Sequence, residues 1–325
     1  MLKNIGTHWV IFFQKLILLM VGSVVTLFLS NHIMSCATQP DFDVEKSTLL
    51  MKKLGISNLT THEKALLVDV VFPEDVETAF DDIMGLDNQK VLLKQLVLHN
   101  HPDVDHVNGV VLHGLPGTGK TMLAKAIARE TKSVFINFNI TSIEDKFVGE
   151  SNKRLDALFS LARKFPAAVV FMDELDGFGA SRCALDQSHV TNLKTLLLQR
   201  MDGLSTNNTN GGRVIFIGAT NNLSAIDAAI KRRMRLHIEI DLPDAITAEA
   251  IMKKRLKSNT IRVSDIAARC AVKKASGSDI SQLCILAQYE AIKNARPKPI
   301  EADLEVGFNL LFPVPSKTTL GPSTP

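Results

Sequence analysis

One segment of eight residues restricts the fold more than any other part of the sequence. Gly114–Thr121 reads GLPGTGKT and matches the pattern G-x-x-x-x-G-K-[ST], between the apolar run VVLH and the helical pattern MLAKAIARE. A glycine-rich turn between a buried strand and a helix aims backbone N–H groups and the helix dipole at an anion. The segment therefore predicts an α/β fold that binds nucleotide phosphates. A glycine-rich turn without a ligand is the alternative, and the strand and helix on either side argue against it.

The residues of this loop have different predicted tasks. Its glycines let the backbone wrap around the phosphates, Lys120 reaches the outer phosphates, and Thr121 binds magnesium. ATP and Mg²⁺ are therefore the expected ligands. The complete set of expected phosphate-binding residues is Gly114, Leu115, Pro116, Gly117, Thr118, Gly119, Lys120 and Thr121.

Polar residues also end two later apolar runs. AAVVFMDELD places Asp173 and Glu174 at the end of a buried strand, where two carboxylates are costly without a cation or a water to act on. We expect Asp173 to hold the magnesium shell and Glu174 to polarise the attacking water as general base. RVIFIGATN places Asn221 at the tip of a third strand, where it orients the water or senses the terminal phosphate. An exposed acidic strand end and an ordinary turn asparagine are the alternatives.

The order of apolar runs predicts the architecture around these residues. VVLHG, VFINFN, AAVVFMD and RVIFIGAT alternate with stretches long enough for crossover helices, which predicts a mostly parallel sheet covered on both faces. Asp82 or a nearby polar residue is expected to begin a helix before the first of these strands. Beyond Pro243 the strand signals give way to helical patterns, and the end of the chain is a loose tail rich in Pro, Ser and Thr.

The amino-terminal segment is the most apolar part of the chain. Trp9–Leu29 reads WVIFFQKLILLMVGSVVTLFL, about the length that a helix needs to cross a bilayer, and Lys15 can reach the near interface. This pattern favours a single membrane anchor. A cleaved signal, with a lipoprotein-like site at Ile33–Cys36, and a buried core helix are the alternatives. The predicted domains are a tip (1–8), an anchor (9–30), a linker with short helices (31–79), a large α/β subdomain (80–243), a helical lid (244–312) and a tail (313–325).

Composition excludes some partners. The formal net charge of +3 is too small to indicate a dedicated nucleic-acid surface, so no nucleic-acid partner is expected. The four cysteines, Cys36, Cys183, Cys270 and Cys284, lie far apart without a C-x-x-C pair, which favours a reducing compartment over a zinc site or a disulfide framework.

The basic run KRRMR, Lys231–Arg235, follows Asn221 closely. By itself such a run is typical of a solvated charged face. In a ring-forming ATPase, arginines at this place would reach the neighbouring subunit's nucleotide and stabilise charge on the transferring phosphoryl group. The residues alone leave both interpretations open.

Four motifs in a fixed order resemble the AAA ATPase family. They are the phosphate loop, FMDELDGF, IGATNNLSAIDAAIKRRM and KKASGSDISQLC, and the resemblance covers Phe80 to Phe312. It implies a P-loop NTPase module of the AAA type with a small helical lid, and ATP hydrolase activity. It also implies that Arg232 and Arg233 are arginine fingers, and that Ser276–Ile280 begins the lid helix.

The segment DKFVGES, Asp145 to Ser151, resembles the first pore loop of protein-remodelling AAA rings, in which an aromatic side chain grips the substrate. Phe147 occupies that place, and an ordinary core phenylalanine is the alternative. Together with the anchor and MKKLGISN, the whole chain is similar to the Msp-type AAA ATPases of the mitochondrial outer membrane, which extract mislocalised tail-anchored proteins. That similarity implies a homo-hexamer anchored by its amino termini, with cytosolic ATPase domains, membrane-inserted protein substrates and a shared role at peroxisomes.

The chain also departs from that family in three places. It is shorter between Leu98 and Val110, it passes directly from Arg233 to Met234 without the usual proline, and its pore loop carries Phe147 and Val148 in place of Trp and Tyr. The shortened segment leaves open an ATP-gated scaffold that barely hydrolyses ATP. A microtubule-severing or endosomal-sorting AAA ATPase is also open, because the paired arginines Arg232 and Arg233 resemble those of such enzymes as well.

Overall fold

A computed structural model describes most of the chain after the amino-terminal segment. The described residues are 58–98, 109–139, 150–179, 184–206, 213–258 and 261–313. The predicted anchor Trp9–Leu29, the pore-loop residue Phe147, the shortened segment 99–108 and the cysteines Cys36 and Cys183 lie outside them. Among the helices of the described ranges, none has the length and apolar character needed to cross a bilayer.

In the described residues six strands form one sheet, and five of them run parallel. In spatial order they are β1 (Val70–Val71), β3 (Val134–Phe138), β4 (Ala167–Met172), β5 (Arg213–Thr220), β2 (Gly109–His113) and β6 (Leu236–Glu239). Only the two-residue β1 pairs antiparallel, at the edge beside β3. The central strands are buried on both faces, as a parallel sheet between helices requires. The predicted mostly parallel sheet is confirmed, whereas β1 lies in a stretch with a helical sequence pattern.

Six helices accompany the sheet in the described part of the chain: α1 (Thr61–Ala65), α2 (Asp87–Leu98), α3 (Lys120–Glu130), α4 (Glu150–Lys164), α5 (Ala184–Thr206) and α6 (Ala228–Arg233). Along β5, Ile215 and Ile217 belong to the core cluster that includes helix α3. Phe216, between them, stacks instead on Phe159 of α4, with ring centroids 4.9 Å apart. Because successive strand residues point to opposite faces, α3 and α4 cover opposite sides of the sheet.

The helix expected near Asp82 begins later than the polar residues there suggest. Phe80–Asp82 forms a 3-10 turn, and α2 begins only at Asp87. Gly85 and Leu86 both have left-handed backbone angles, φ 67° and 59°, which a right-handed helix cannot include. The chain therefore bends sharply before α2 can start.

Within the stretches that the structure describes, four further helices follow the last strand and form a separate core. They are α7 (Ala245–Leu256), α8 (Ser264–Val272), α9 (Gly277–Lys293) and α10 (Glu301–Leu311). The first three coincide with the helical patterns read beyond Pro243, whereas α10 was not predicted. Cys270 and Cys284 are free thiols in this core, and burial raises their pKa values to about 11 and about 12. Such thiols are poor nucleophiles at neutral pH.

The short helix α1 is fastened to α4 by a buried carboxylate. Glu63 is 1% exposed and accepts hydrogen bonds from Ser160 Oγ (2.7 Å), Lys164 Nζ (2.7 Å) and the Thr60 amide (2.7 Å). Burial alone would raise the pKa of Glu63, but these hydrogen bonds outweigh it and hold the pKa below its ordinary value. The segment that leads into the sheet is thereby tied to the helix that follows the predicted pore loop.

Candidate nucleotide-binding site

The three predicted site segments meet at one edge of the sheet. The phosphate loop follows β2, the acidic pair follows β4, and Asn221 follows β5, which lies between the other two strands. In this register His113 is opposite Thr220, and Met172 is opposite Gly218. Because the strands are parallel, their carboxyl ends form a crevice, which is the usual ligand site of open α/β sheets.

The phosphate loop has the backbone that its glycines were expected to allow. The φ angles are 148° at Gly114, 76° at Gly117 and 96° at Gly119, and residues with a Cβ atom rarely adopt such values. A Cβ atom on Gly114 would overlap the carbonyl oxygen of Ile240. Helix α3 begins directly after the loop at Lys120. Its first backbone N–H groups are therefore turned toward the loop, as phosphate binding requires.

Lys120 is 8% exposed and folds back over the loop. Its Nζ donates to the carbonyl oxygens of Gly114 and Leu115, each at 2.8 Å. Burial lowers the pKa of Lys120, and the charges of Asp173 and Asp176 act in the opposite direction. The carbonyl oxygens of Gly114 and Leu115 thus occupy the positions that phosphate oxygens would take around a P-loop lysine. When a phosphate binds, the Lys120 ammonium group can donate to it instead of to these carbonyl oxygens.

The pair Thr121 and Asp173 fits a magnesium ion. Thr121 Oγ1, in the first turn of α3, lies 3.5 Å from Asp173 Oδ2, so a hydroxyl oxygen is beside a carboxylate oxygen at the end of β4. Oxygen atoms of this kind are the ligands that Mg²⁺ prefers, with water and phosphate completing its shell. A bound magnesium would neutralise charge on the phosphates.

Glu174 stands next to this pair in an unusual backbone conformation. Its φ is 52°, in the left-handed region, and its amide donates to Asp173 Oδ1 at 2.9 Å. Both acidic residues are exposed at the crevice. Asn221, the residue directly after β5, is exposed as well.

The lid helix α9 begins against the phosphate loop. Its N-cap is Ser276, whose side chain and that of Asp279 form a capping box. The Ser278 amide donates to the Gly117 carbonyl oxygen at 3.1 Å, and a Cβ atom on Gly117 would overlap Ser278 Oγ. The stretch SGSDI therefore begins the helix that contacts the loop.

The two predicted finger arginines differ in their surroundings. Arg232 is exposed and makes no hydrogen bond or ion pair with the described residues. Arg233 is held by Asp202 of α5 through two contacts of 2.8 and 2.6 Å. Within the described chain, neither arginine bonds to the phosphate loop or to the acidic pair. The direct passage to Met234 is accommodated because that side chain is buried against Gly109.

Sequence reasoning missed three residues of this region, Asp176, Thr220 and Asp202. Asp176 accepts a hydrogen bond from Thr220, and Asp202 pairs with Arg233. Asp176 belongs to the same DELD motif as the acidic pair, so a third acid at a strand end was an available signal. For Asp202 no local signal exists, because its partner is 31 residues away.

The fold and site together define a P-loop nucleotide-binding module with a helical lid. A sequence profile of the "ATPase family associated with various cellular activities (AAA)" matches residues 110–244. The "Mitochondrial sorting homolog" of Caenorhabditis elegans is 32% identical over 287 residues, covering 82% of each chain. The human "Outer mitochondrial transmembrane helix translocase" is 34% identical over 248 residues, covering 72% of this chain and 68% of the relative.

A solved structure reported as "Structural Basis for Katanin Self-Assembly" shares the fold. It has a TM-score of 0.62 at 26% identity, covering 78% of this chain and 91% of the other. The present chain belongs to the AAA ATPase family, in the Msp-type group that includes the outer mitochondrial transmembrane helix translocases.

Proposed function

We propose that this chain is a membrane-anchored protein translocase that uses ATP hydrolysis to extract tail-anchored proteins mislocalised to the mitochondrial outer membrane. The observation that carries the proposal is the crevice where the phosphate loop, the acidic pair and Asn221 converge. The name of the human relative supports a transmembrane helix as the substrate and the outer mitochondrial membrane as the place, and the Msp-type resemblance supports the tail-anchored class.

The site residues divide the work of phosphoryl transfer. The loop amides and Lys120 bind the phosphates of ATP, and Thr121 and Asp173 hold magnesium. Glu174 accepts a proton from the attacking water, and Asn221 orients that water. Exposed carboxylates at a crevice edge suit this task because the water must reach them. In-line attack then depends mainly on positioning and on stabilising charge at the transferring phosphate.

The exposed Arg232 supports an assembly of several copies. An arginine finger stabilises the transition state of a neighbouring subunit's site. An exposed guanidinium that has no ion pair among the described residues is available for that contact. The katanin neighbour is described as self-assembling. A homo-hexameric ring with Phe147 in its pore, gripping polypeptide, completes the proposed mechanism, with the segment Trp9–Leu29 as its membrane anchor.

The test uses the full chain in liposomes that contain a fluorescent tail-anchored protein. Addition of Mg-ATP is expected to release the fluorescent protein from the membrane. Glu174→Gln should still bind ATP and release nothing, because the general base is lost. Glu301→Gln, a change at an exposed position on α10, is the matched control and should behave as the parent.

Three results would each contradict a part of the proposal. Unchanged turnover in Glu174→Gln would show that Glu174 is not the base. Full ATP turnover without release of any tail-anchored protein would contradict the substrate class. If alkaline carbonate extracts the chain from membranes, Trp9–Leu29 is not a membrane anchor. That result would favour a relative of the microtubule-severing type.

A further inference from the structure

The backbone of Glu174 needs an external restraint. Its left-handed φ of 52° is unfavourable for a residue with a side chain. Conformations of this kind persist only where surrounding contacts hold them, and they occur frequently at functional sites. The contacts around Glu174 therefore decide where its carboxylate points.

An apolar contact restrains the next residue. Leu175 is fully buried, and a Cβ atom on Gly218 of β5 would overlap its Cδ1 atom. The leucine thus fills the space that a side chain at position 218 would occupy. A turn hydrogen bond from the Gly177 amide to the Glu174 carbonyl oxygen, 2.8 Å long, closes the segment on the other side.

A polar contact restrains the same segment one residue further on. Thr220 is 2% exposed, and its Oγ1 donates to Asp176 Oδ1 at 2.7 Å. The same hydroxyl accepts from the Asn222 amide at 3.0 Å. One buried hydroxyl therefore joins the turn that carries Glu174 to the residues on both sides of Asn221. A buried hydroxyl with donor and acceptor roles both filled is costly to remove and rigid in place.

We propose that the Thr220–Asp176 hydrogen bond and the Leu175–Gly218 contact form a clasp that fixes Glu174 relative to Asn221 for ATP hydrolysis. Thr220 and Asp176 are positioning residues, because they act on the catalytic groups through the backbone. The inference rests on the proposed role of Glu174 as general base. It predicts that the clasp governs the hydrolysis step and leaves the binding of ATP largely unchanged.

The most direct variant is Thr220→Val, which keeps the branched shape and removes the hydroxyl. We expect kcat to fall on the order of 10–100-fold, since small displacements of catalytic groups have effects of this size. The KM for ATP and the affinity for a fluorescent ATP analogue should stay within about twofold, because the phosphate loop is untouched. Thr220→Ser retains the hydroxyl and should restore most of kcat.

Thr131→Val is the matched control. Thr131 is a buried threonine at the end of α3, with its hydroxyl bonded to the Ile127 carbonyl oxygen (2.8 Å) and to Ser133 Oγ (2.9 Å). Removing that hydroxyl should lower Tm without lowering kcat. Asp176→Ala provides an independent test of the clasp should Thr220→Val not fold. It should reduce kcat similarly, and the double variant should be no slower than either single one.

The outcomes separate this inference from the proposed function. A kcat within about twofold of the parent in Thr220→Val or Asp176→Ala would overturn the clasp, as would an equal loss of kcat in Thr131→Val. Unchanged turnover in Glu174→Gln, measured in the same assay, would instead overturn the assignment of the general base.

Discussion

Asp202 and Arg233 form a bidentate pair, in which Arg233 Nε donates to Asp202 Oδ1 at 2.8 Å and Arg233 Nη2 donates to Asp202 Oδ2 at 2.6 Å. In this arrangement two N–H groups of one guanidinium bond to the two oxygens of one carboxylate. Arg232, the preceding residue, is exposed and unpaired within the described chain. The two adjacent arginines, which the sequence motif predicts to act together, thus differ: Arg233 is bonded to Asp202, and Arg232 is exposed.

Arg232→Ala should therefore lower ATP turnover without lowering the thermal stability of the protein. The substitution removes no hydrogen bond or ion pair among the described residues, so Tm should change little. ATP turnover should fall on the order of 10³-fold if the residue acts on a neighbour's nucleotide. Arg233→Ala should additionally lower the free energy of unfolding by about 1 kcal/mol or less, since its ion pair with Asp202 is partly exposed.

A mixing experiment checks the direction of this effect. Arg232→Ala subunits keep an intact nucleotide site, and Lys120→Ala subunits keep an intact arginine. Turnover should recover partly when the two are mixed and reassembled. Absence of any recovery, with both variants shown to co-assemble, would contradict action between subunits.

The sequence predicted the local parts of the site and missed the contacts between distant segments. A single contiguous stretch of sequence contains the patterns that predict the phosphate loop, the strand before it and the helix after it. Asp173, Glu174 and Asn221 could be placed because parallel strands bring their carboxyl ends together. The catalytic role assigned to each of these three residues stays a prediction.

The missed features depend on tertiary packing. β1 has only two residues, and its pairing with β3 is set by the sheet edge rather than by a strand pattern. The Asp176–Thr220 bond joins positions 44 residues apart. The late start of α2 at Asp87 follows from the left-handed turn at Gly85, whose close neighbour Thr247 lies in the lid. No local pattern contains these pairings.

Gly117→Ala and Gly119→Ala should differ in their effect on ATP affinity. Both positions have positive φ angles, so both alanines strain the loop by about 1–2 kcal/mol. Only at Gly117 would the new methyl group also overlap Ser278 of the lid, whereas Gly119 has open space around it. Titration with a fluorescent ATP analogue should therefore show the weaker binding in Gly117→Ala. Equal affinities would show that the lid does not press on the loop.

Glu63→Gln should destabilise the protein in a pH-dependent way. The Glu63 carboxylate has a pKa below its ordinary value of 4.5, so it stabilises the fold above that pH. The variant should unfold with about 1–3 kcal/mol less free energy at pH 7, because hydrogen bonds to a charged group are lost. As the pH falls through the depressed pKa, the parent loses the same stabilisation and the two should converge. Denaturant unfolding at a series of pH values measures this, and a difference that grows on acidification would contradict it.

The loop Gly114–Thr121 is the proposed site at which ATP is bound and hydrolysed. The most direct measurement is Mg²⁺-dependent ATP hydrolysis by the full chain and by Lys120→Ala, with Lys125→Ala on the same helix as the control. Turnover and ATP binding should fall on the order of 100-fold or more in Lys120→Ala and stay near the parent in Lys125→Ala. If the Lys120→Ala protein still binds and hydrolyses ATP like the parent, the loop Gly114–Thr121 is not the nucleotide site.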